Sequence, residues 1–179
     1  PWNRVDVFLG DERWVSADDE SSNARMLRST LLQAGEPGAA ACFHPVPTVE
    51  LPSPEASADA FAKLIAQSCS GQPPIFDMMV LGLGDDGHTA SLFPGTEAPD
   101  VLDRWTTIGR GKGLERITLT APVLSASRSV IFLVSGAKKK EALRRLLDPA
   151  ESSQRTPAKL AQPDSEIIVL ADEAACEGL

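Results

Sequence analysis

The residues best suited to chemistry lie in one short segment, Gly-Leu-Gly-Asp-Asp-Gly-His, which runs from Gly82 to His88. Histidine changes its charge near neutral pH, so it can accept a proton in one step and return it in the next. Asp86 lies two residues away and can fix the tautomer and orientation of the ring. The segment therefore predicts proton transfer by His88. A structural histidine on a surface loop is the alternative interpretation.

The glycines of this segment also match the dinucleotide-binding pattern G-x-G-x-x-G, from Gly82 to Gly87. That pattern needs a long helix directly afterwards, because the helix N-terminus holds the pyrophosphate. Here Pro94 and Gly95 interrupt the chain only a few residues later. Two carboxylates would also lie beside an anionic ligand. The context therefore argues against nicotinamide or flavin binding.

Two further polar clusters follow predicted strands. The cluster Asp11-Glu12-Arg13 comes after the strand at residues 5–9, and Lys138-Lys139 comes after the strand at residues 130–134. Parallel strands would bring both clusters to the same sheet edge as His88. Such a cleft would combine carboxylates, an imidazole and fixed cations, which together can move protons while holding an anion. The alternatives are a solvated, salt-bridged turn and a lysine run that serves solubility.

A metal site is not predicted. Asp11, Asp86 and His88 offer suitable ligand types, but no second histidine follows at a ligand spacing. His44 lies in a proline-rich segment and is interpreted as incidental. The chain has three widely spaced cysteines, Cys42, Cys69 and Cys176. Their odd number and spacing argue against a zinc site or a disulfide framework and favour a reducing, cytoplasmic location.

The composition restricts the partners. The net charge is −8, from 17 basic and 25 acidic residues, which disfavours nucleic acid because that ligand requires a basic face. No apolar run approaches the roughly 20 residues that cross a bilayer, so no membrane partner is expected. An anionic metabolite must then be held by local cations or backbone amides. The sequence makes no prediction about oligomeric state.

Strands and helices alternate along the chain. Predicted strands cover residues 5–9, 78–83, 116–120, 130–134 and 166–170, and predicted helices cover 22–33, 54–69 and 138–147. Residues 36–54 and 84–113 are expected to be irregular. This order is typical of an α/β fold with three layers, in which helices cover both faces of a mostly parallel, twisted, Rossmann-like sheet. No repeat or second domain is visible, so residues 1–179 are expected to form a single domain.

Taken together, these segments closely resemble the 6-phosphogluconolactonase family, within the wider superfamily that includes glucosamine-6-phosphate deaminase. The resemblance covers essentially the whole chain and rests on residues 7–15, 22–23, 82–94, 116–120, 135–139 and 157–158. It implies hydrolysis of a sugar-phosphate lactone, 6-phospho-D-glucono-1,5-lactone, to 6-phosphogluconate in the oxidative pentose phosphate pathway. It also implies that neither a metal nor an organic cofactor takes part.

The resemblance implies three catalytic residues. His88 matches the family's proposed general base, which takes a proton from water as the water attacks the lactone carbonyl. Asp86 would orient that ring. Asp11 matches the acid that carries protons in the deaminases, and its role in a lactonase is less defined.

The resemblance also implies four substrate-binding residues. Arg13 and Lys139 match cationic positions of the family that bind the phosphate or stabilise the developing oxyanion, and which does which is left open. Gly84 and Gly87 belong to the glycine-rich loop that lets the substrate approach closely.

Two positions favour the lactonase over the deaminase. Deaminases have a glutamate five residues after the histidine and an aromatic residue after Asp-Glu, where this chain has Phe93 and Arg13. A deaminase and a non-catalytic sugar-phosphate-binding module remain the alternative functions.

Family members normally start with a strand, a Ser-Gly-Gly-Ser/Thr phosphate loop and a helix, all before the Asp-Glu-Arg strand. This chain starts at that strand, so the sequence is expected to be an N-terminally incomplete domain. Loss of a strand and a helix from the sheet should expose apolar surface.

Overall fold

The alternating pattern produces three small sheets in the computed structural model, which describes residues 1–179. The strands are β1 (Asp6–Phe8), β2 (Asp11–Arg13), β3 (Cys42–His44), β4 (Met79–Gly82), β5 (Thr106–Gly111), β6 (Leu114–Leu119), β7 (Val130–Val134) and β8 (Ile167–Ala171). The helices are α1 (Asn23–Arg28), α2 (Pro54–Ser68), α3 (Ala121–Ala126), α4 (Lys140–Leu147) and α5 (Glu173–Cys176).

Two of the sheets are parallel, which confirms the predicted α/β class. Strands β4, β7 and β8 pair in that order, and β1 pairs with β3. Phe61 and Ile65 of α2, Phe132 of β7 and Leu143 of α4 are almost completely buried. Each of these helices and strands presents one apolar face to a common core, which is why the segments fold as predicted.

The third sheet is antiparallel, with the order β2-β6-β5. Its strand β6 agrees with the strand predicted at residues 116–120, but β2, β5 and the antiparallel pairing were not predicted. The segment Asp11-Glu12-Arg13, expected as a turn after a strand, is itself a strand whose residues pair with Thr118, Ile117 and Arg116 of β6. Strand β5 lies inside residues 84–113, which were expected to be irregular. Both strands lack apolar alternation, because β2 is entirely charged and β5 contains two glycines.

Helix α1 starts as predicted and ends early. The Ser22 hydroxyl accepts a hydrogen bond from the backbone N–H of Arg25 (3.2 Å), which is a normal N-cap. The helix ends at Arg28 rather than near residue 33. At its end the hydroxyls of Ser29 and Thr30 both donate to the Met26 carbonyl (3.0 and 2.8 Å), and such bonds compete with continued helix.

One face of the β4-β7-β8 sheet is open to solvent. Val80, Leu133, Ile168 and Leu170 are 46–55% exposed, although parallel strands are usually covered on both faces. The opposite face is buried and forms part of the core. No helix in the structure has both the length and the apolar character needed to span a bilayer.

Buried Glu12 connects β2 to the start of α1. Its carboxylate accepts hydrogen bonds from the backbone N–H groups of Arg13, Asn23 and Ala24 (2.8, 2.8 and 2.7 Å) and from the Ser22 hydroxyl (3.1 Å). A carboxylate at a helix N-terminus satisfies free N–H groups and complements the helix dipole. Glu12 thereby fixes the strand that carries Asp11 and Arg13.

Substitution Glu12→Gln is expected to lower the free energy of unfolding by about 2 to 3 kcal/mol. The reason is that an NH₂ group, which donates hydrogen bonds, replaces one carboxylate oxygen and then faces N–H and O–H donors. Urea denaturation measures this change. Glu20→Gln is the matched control, since Glu20 is exposed on the neighbouring loop. Equal stability of the two variants would contradict the role given to Glu12.

Candidate active site

The loop after β4 folds tightly around His88. The N–H of Gly84 donates to the His88 carbonyl (2.8 Å), and the N–H of Gly87 donates to the Gly84 carbonyl (3.0 Å). Gly87 has a φ of +94°, a conformation that side chains disfavour. Both glycine N–H groups are thus used inside the loop. The structure gives these glycines a part in shaping the turn, and their contact with substrate stays a prediction.

His88 and Asp86 form a close pair. The imidazole Nδ1 lies 2.5 Å from Asp86 Oδ1, and the same oxygen accepts the His88 backbone N–H (3.1 Å). Burial raises the pKa of Asp86, but these two hydrogen bonds and the nearby positive charges outweigh it and leave the pKa below its ordinary value. An ionised Asp86 keeps the proton of a neutral ring on Nδ1. The lone pair on Nε2, which bonds to no protein group, can then accept a proton.

Gly84 is the closest neighbour of this pair. A Cβ built on Gly84 would collide with the imidazole and would lie 2.6 Å from Asp86 Oδ1. The backbone of Gly84 is not in the left-handed region, so alanine would be strained only by this collision.

Gly84→Ala is therefore expected to fold normally and to lose activity by about 10²-fold, the effect of a displaced catalytic group. The loss is measured as the change in kcat, by steady-state kinetics with any substrate that the parent chain converts. Gly82→Ala is the control, because a Cβ at Gly82 meets nothing within 4 Å. A similar loss of activity in both variants would mean that the substitutions disturb the loop as a whole, and that the position of the His88 imidazole is not the cause.

The Phe93 ring separates His88 from a buried arginine. Its centroid lies 4.3 Å from that of the imidazole, and the guanidinium carbon of Arg116 lies 5.3 Å from it. A Cβ on Gly111 of β5 would lie 2.6 Å from this ring, so the glycine lets the hairpin pack closely. The imidazole and Arg116 thus flank one aromatic side chain.

Arg116 and Arg13 face each other across the β2-β6 ladder. The Arg116 side chain is 8% exposed and its guanidinium lies 3.5 Å from Asp11 Oδ2. Burial, followed by the charge of Arg13, lowers the pKa of Arg116. The Nε atoms of both arginines are buried without a hydrogen-bond partner. Buried donors without a partner are uncommon, and here two of them belong to adjacent cations.

Asp11 belongs to this arginine cluster. Its carboxylate contacts Arg116, accepts the Ser91 hydroxyl, and lies 3.4 Å from the Asn23 amide nitrogen. None of its hydrogen bonds goes to His88. The structure therefore places Asp11 where it holds Arg116, and its proposed proton-carrying role stays a prediction.

Two lysines lie near the other side of the His88 loop. Lys112, at the tip of the β5-β6 hairpin, lies 3.4 Å from Asp85 Oδ1. The pKa of Asp85 lies below its ordinary value, first because its carboxylate accepts a hydrogen bond from its own backbone, then because of the hydrogen bond and charge of Lys112 and, least, the charge of Lys139. Lys139 makes no ion pair of its own and directly precedes α4.

Helix α4 is fixed to the same loop. Arg145, which is buried, donates to the Asp85 carbonyl (3.3 Å), so Lys139 and His88 are held on connected elements. The turn before Lys139 is not free for ligand: the Ser135 hydroxyl and the Gly136 N–H both donate to Asp172 (2.6 and 2.9 Å).

The sequence predicted the pair His88 and Asp86 and missed two cations. Arg116 was assigned only to a strand motif, because its proximity to Arg13 depends on the unpredicted β2-β6 register. Lys112 precedes Gly113 and has a φ of +55°, so a hairpin turn at Lys-Gly was the signal that could have been used.

Comparison with known proteins identifies relatives of the whole chain. A family profile described as glucosamine-6-phosphate isomerases/6-phosphogluconolactonase matches residues 1–170. The 6-phosphogluconolactonases of Synechocystis sp. and Nostoc sp. are 45% and 42% identical, over 100% and 98% of this chain and 75% and 73% of their own length. The crystal structure of a 6-phosphogluconolactonase from Shewanella baltica is 31% identical, with a TM-score of 0.81 over 95% of this chain and 72% of that one.

Proposed function

The chain belongs to the glucosamine-6-phosphate isomerase/6-phosphogluconolactonase family, and we propose that it hydrolyses 6-phospho-D-glucono-1,5-lactone to 6-phosphogluconate in the oxidative pentose phosphate pathway. The observation that carries this proposal is the His88–Asp86 pair with a free Nε2, close to the buried Arg116 on the other side of the Phe93 ring. The names of the similar proteins support the same activity.

The proposed reaction begins with activation of a water molecule. Nε2 of His88 accepts a proton as the water oxygen attacks the lactone carbonyl carbon, while ionised Asp86 stabilises the resulting imidazolium. The carbonyl oxygen becomes an oxyanion in the tetrahedral intermediate. Collapse of this intermediate breaks the bond to the ring oxygen, which leaves with the proton from Nε2. The ring opens to the acid, and the histidine is restored.

The cations divide between two parts of the substrate. Its permanent negative charge is the phosphate, and we assign that group to Arg116, because Arg116 and the neighbouring Arg13 place two cations side by side. Lys139 and Lys112, which lower the pKa of Asp85 in the loop that carries His88, are then assigned to the carbonyl oxygen as charge develops there.

Phe93 supports hydrolysis over deamination. Its ring packs directly on the imidazole at 4.3 Å, so the position where deaminases have a carboxylate offers neither a charge nor a proton acceptor.

The test is a direct assay of the purified protein. We expect 6-phosphogluconate to form from the lactone faster than by spontaneous opening in the same buffer. Release of ammonia from glucosamine 6-phosphate, without lactone hydrolysis, would establish the deaminase instead. Calorimetric binding of 6-phosphogluconate without turnover of either compound would establish a binding module.

The chain's three cysteines make no disulfide. Free thiols fit the cytoplasmic location that we propose for this protein, since the glutathione pool of that compartment keeps thiols reduced.

A further inference from the structure

A second cluster of reactive side chains lies away from His88, on the two-stranded β1-β3 sheet. Asp6 is directly opposite Cys42 in the parallel ladder, and His44 follows two residues later on the same face. One carboxylate oxygen, the thiol sulfur and an imidazole nitrogen lie within 4.8 Å of one another. Strand pairing alone brings them together, which is why the linear spacing of cysteines and histidines predicted no site.

The three side chains are arranged as ligands. His44 Nε2 points at Asp6 Oδ1 at 2.7 Å, and the imidazole is stacked on Phe8 with ring centroids 4.4 Å apart and an interplanar angle of 7°. The stacking fixes the ring plane, so little ordering would be needed on binding. A cation would take the place of the direct contact between His44 and Asp6.

The chemistry of the donors defines the cation. We propose that Asp6, Cys42 and His44 bind a divalent cation of borderline softness, of which Zn²⁺ is the type. A thiolate, a neutral imidazole and a carboxylate are ligands that Zn²⁺ takes at about 2.0–2.3 Å. Binding would move the His44 and Asp6 donors apart from 2.7 Å and draw together donors that now lie up to 4.8 Å apart. Thiolate and carboxylate charges together balance the charge of the ion.

Access to the site is open. Cys42 and Asp6 are exposed, and His44 is partly exposed, so an ion can enter from solvent and water can complete the fourth position. The effect on the fold would be a cross-link between β1 and β3, because ligands come from both strands. Magnesium and calcium are disfavoured, since they prefer all-oxygen sites.

The experiment titrates the purified chain, reduced and free of chelator, with Zn²⁺ by calorimetry and with Co²⁺ by absorption spectroscopy. We expect one tight site per chain and a thiolate-to-Co²⁺ charge-transfer band. Cys42→Ser should remove the band and weaken Zn²⁺ binding by more than about tenfold, and His44→Gln should weaken binding similarly. Cys176→Ser is the matched control, because Cys176 is also exposed but lies outside the cluster.

The proposal fails if the parent chain binds no Zn²⁺, if the Co²⁺ spectrum lacks the thiolate band, or if Cys176→Ser reduces binding as much as Cys42→Ser does. The readout does not depend on lactone hydrolysis, so it is independent of the function proposed above.

Discussion

The variant His88→Gln is expected to hydrolyse the lactone about 10²- to 10⁴-fold more slowly than the parent chain, with little change in KM. Glutamine cannot accept a proton at neutral pH, and general base catalysis contributes a factor of this size. The imidazole is only 15% exposed, so thermal unfolding of the variant is compared with that of the parent chain as a check on the fold. Stopped-flow kinetics with subtraction of the spontaneous rate measures the loss.

The pH dependence tests the same assignment in a second way. The rate should fall as the pH decreases, because a second proton on the imidazole occupies Nε2. Asp86 is not the cause of this acid limb, since its pKa lies below the ordinary value of an aspartate. A rate that is flat with pH in the parent chain, or that keeps its acid limb in His88→Gln, would remove His88 from the mechanism.

Asp86→Asn separates the orienting role from the proton-accepting one. An asparagine amide can present a donor to Nδ1, which favours the tautomer with its lone pair on that nitrogen and its proton on Nε2. We expect a fall in kcat approaching that of His88→Gln. Unchanged kcat in Asp86→Asn would mean that the 2.5 Å contact has no part in catalysis.

Local signals made the His88 loop predictable. Its apolar strand, its glycines and its carboxylates are contiguous, and the tight turn follows from backbone hydrogen bonds within five residues. The start of α2 was equally local: Ser53 caps the helix and Pro54 occupies its first turn, as the sequence predicts.

Long-range pairing made the rest unpredictable. Arg116 meets Arg13 only because an entirely charged strand, β2, enters an antiparallel ladder with β6. A hydrophobic pattern cannot reveal such a strand. The same is true of Asp6, Cys42 and His44, which a parallel register brings together from distant parts of the chain. Sequence patterns thus predicted the contact between His88 and Asp86 and missed the proximity of Arg116 to Arg13.

Substitution of Arg116 is expected to have the second large effect on activity. Arg116→Gln is expected to raise KM for the lactone by about 10²-fold while kcat changes only a few-fold. Hydrogen bonds to charged groups contribute about 1.5–3 kcal/mol each, and a phosphate contact is made equally in the ground state and the transition state. Arg110→Gln is the matched control, since Arg110 is exposed on the same hairpin and pairs with Glu115.

A buried arginine can also be needed for folding, because its loss leaves Asp11 without its cation. Arg116→Lys keeps the charge beside Asp11 but loses the planar fork that binds two phosphate oxygens. We therefore expect Arg116→Lys to restore stability and to recover only part of the KM. If kcat falls in both variants while KM stays near that of the parent chain, Arg116 acts on the oxyanion, and the phosphate must be held elsewhere.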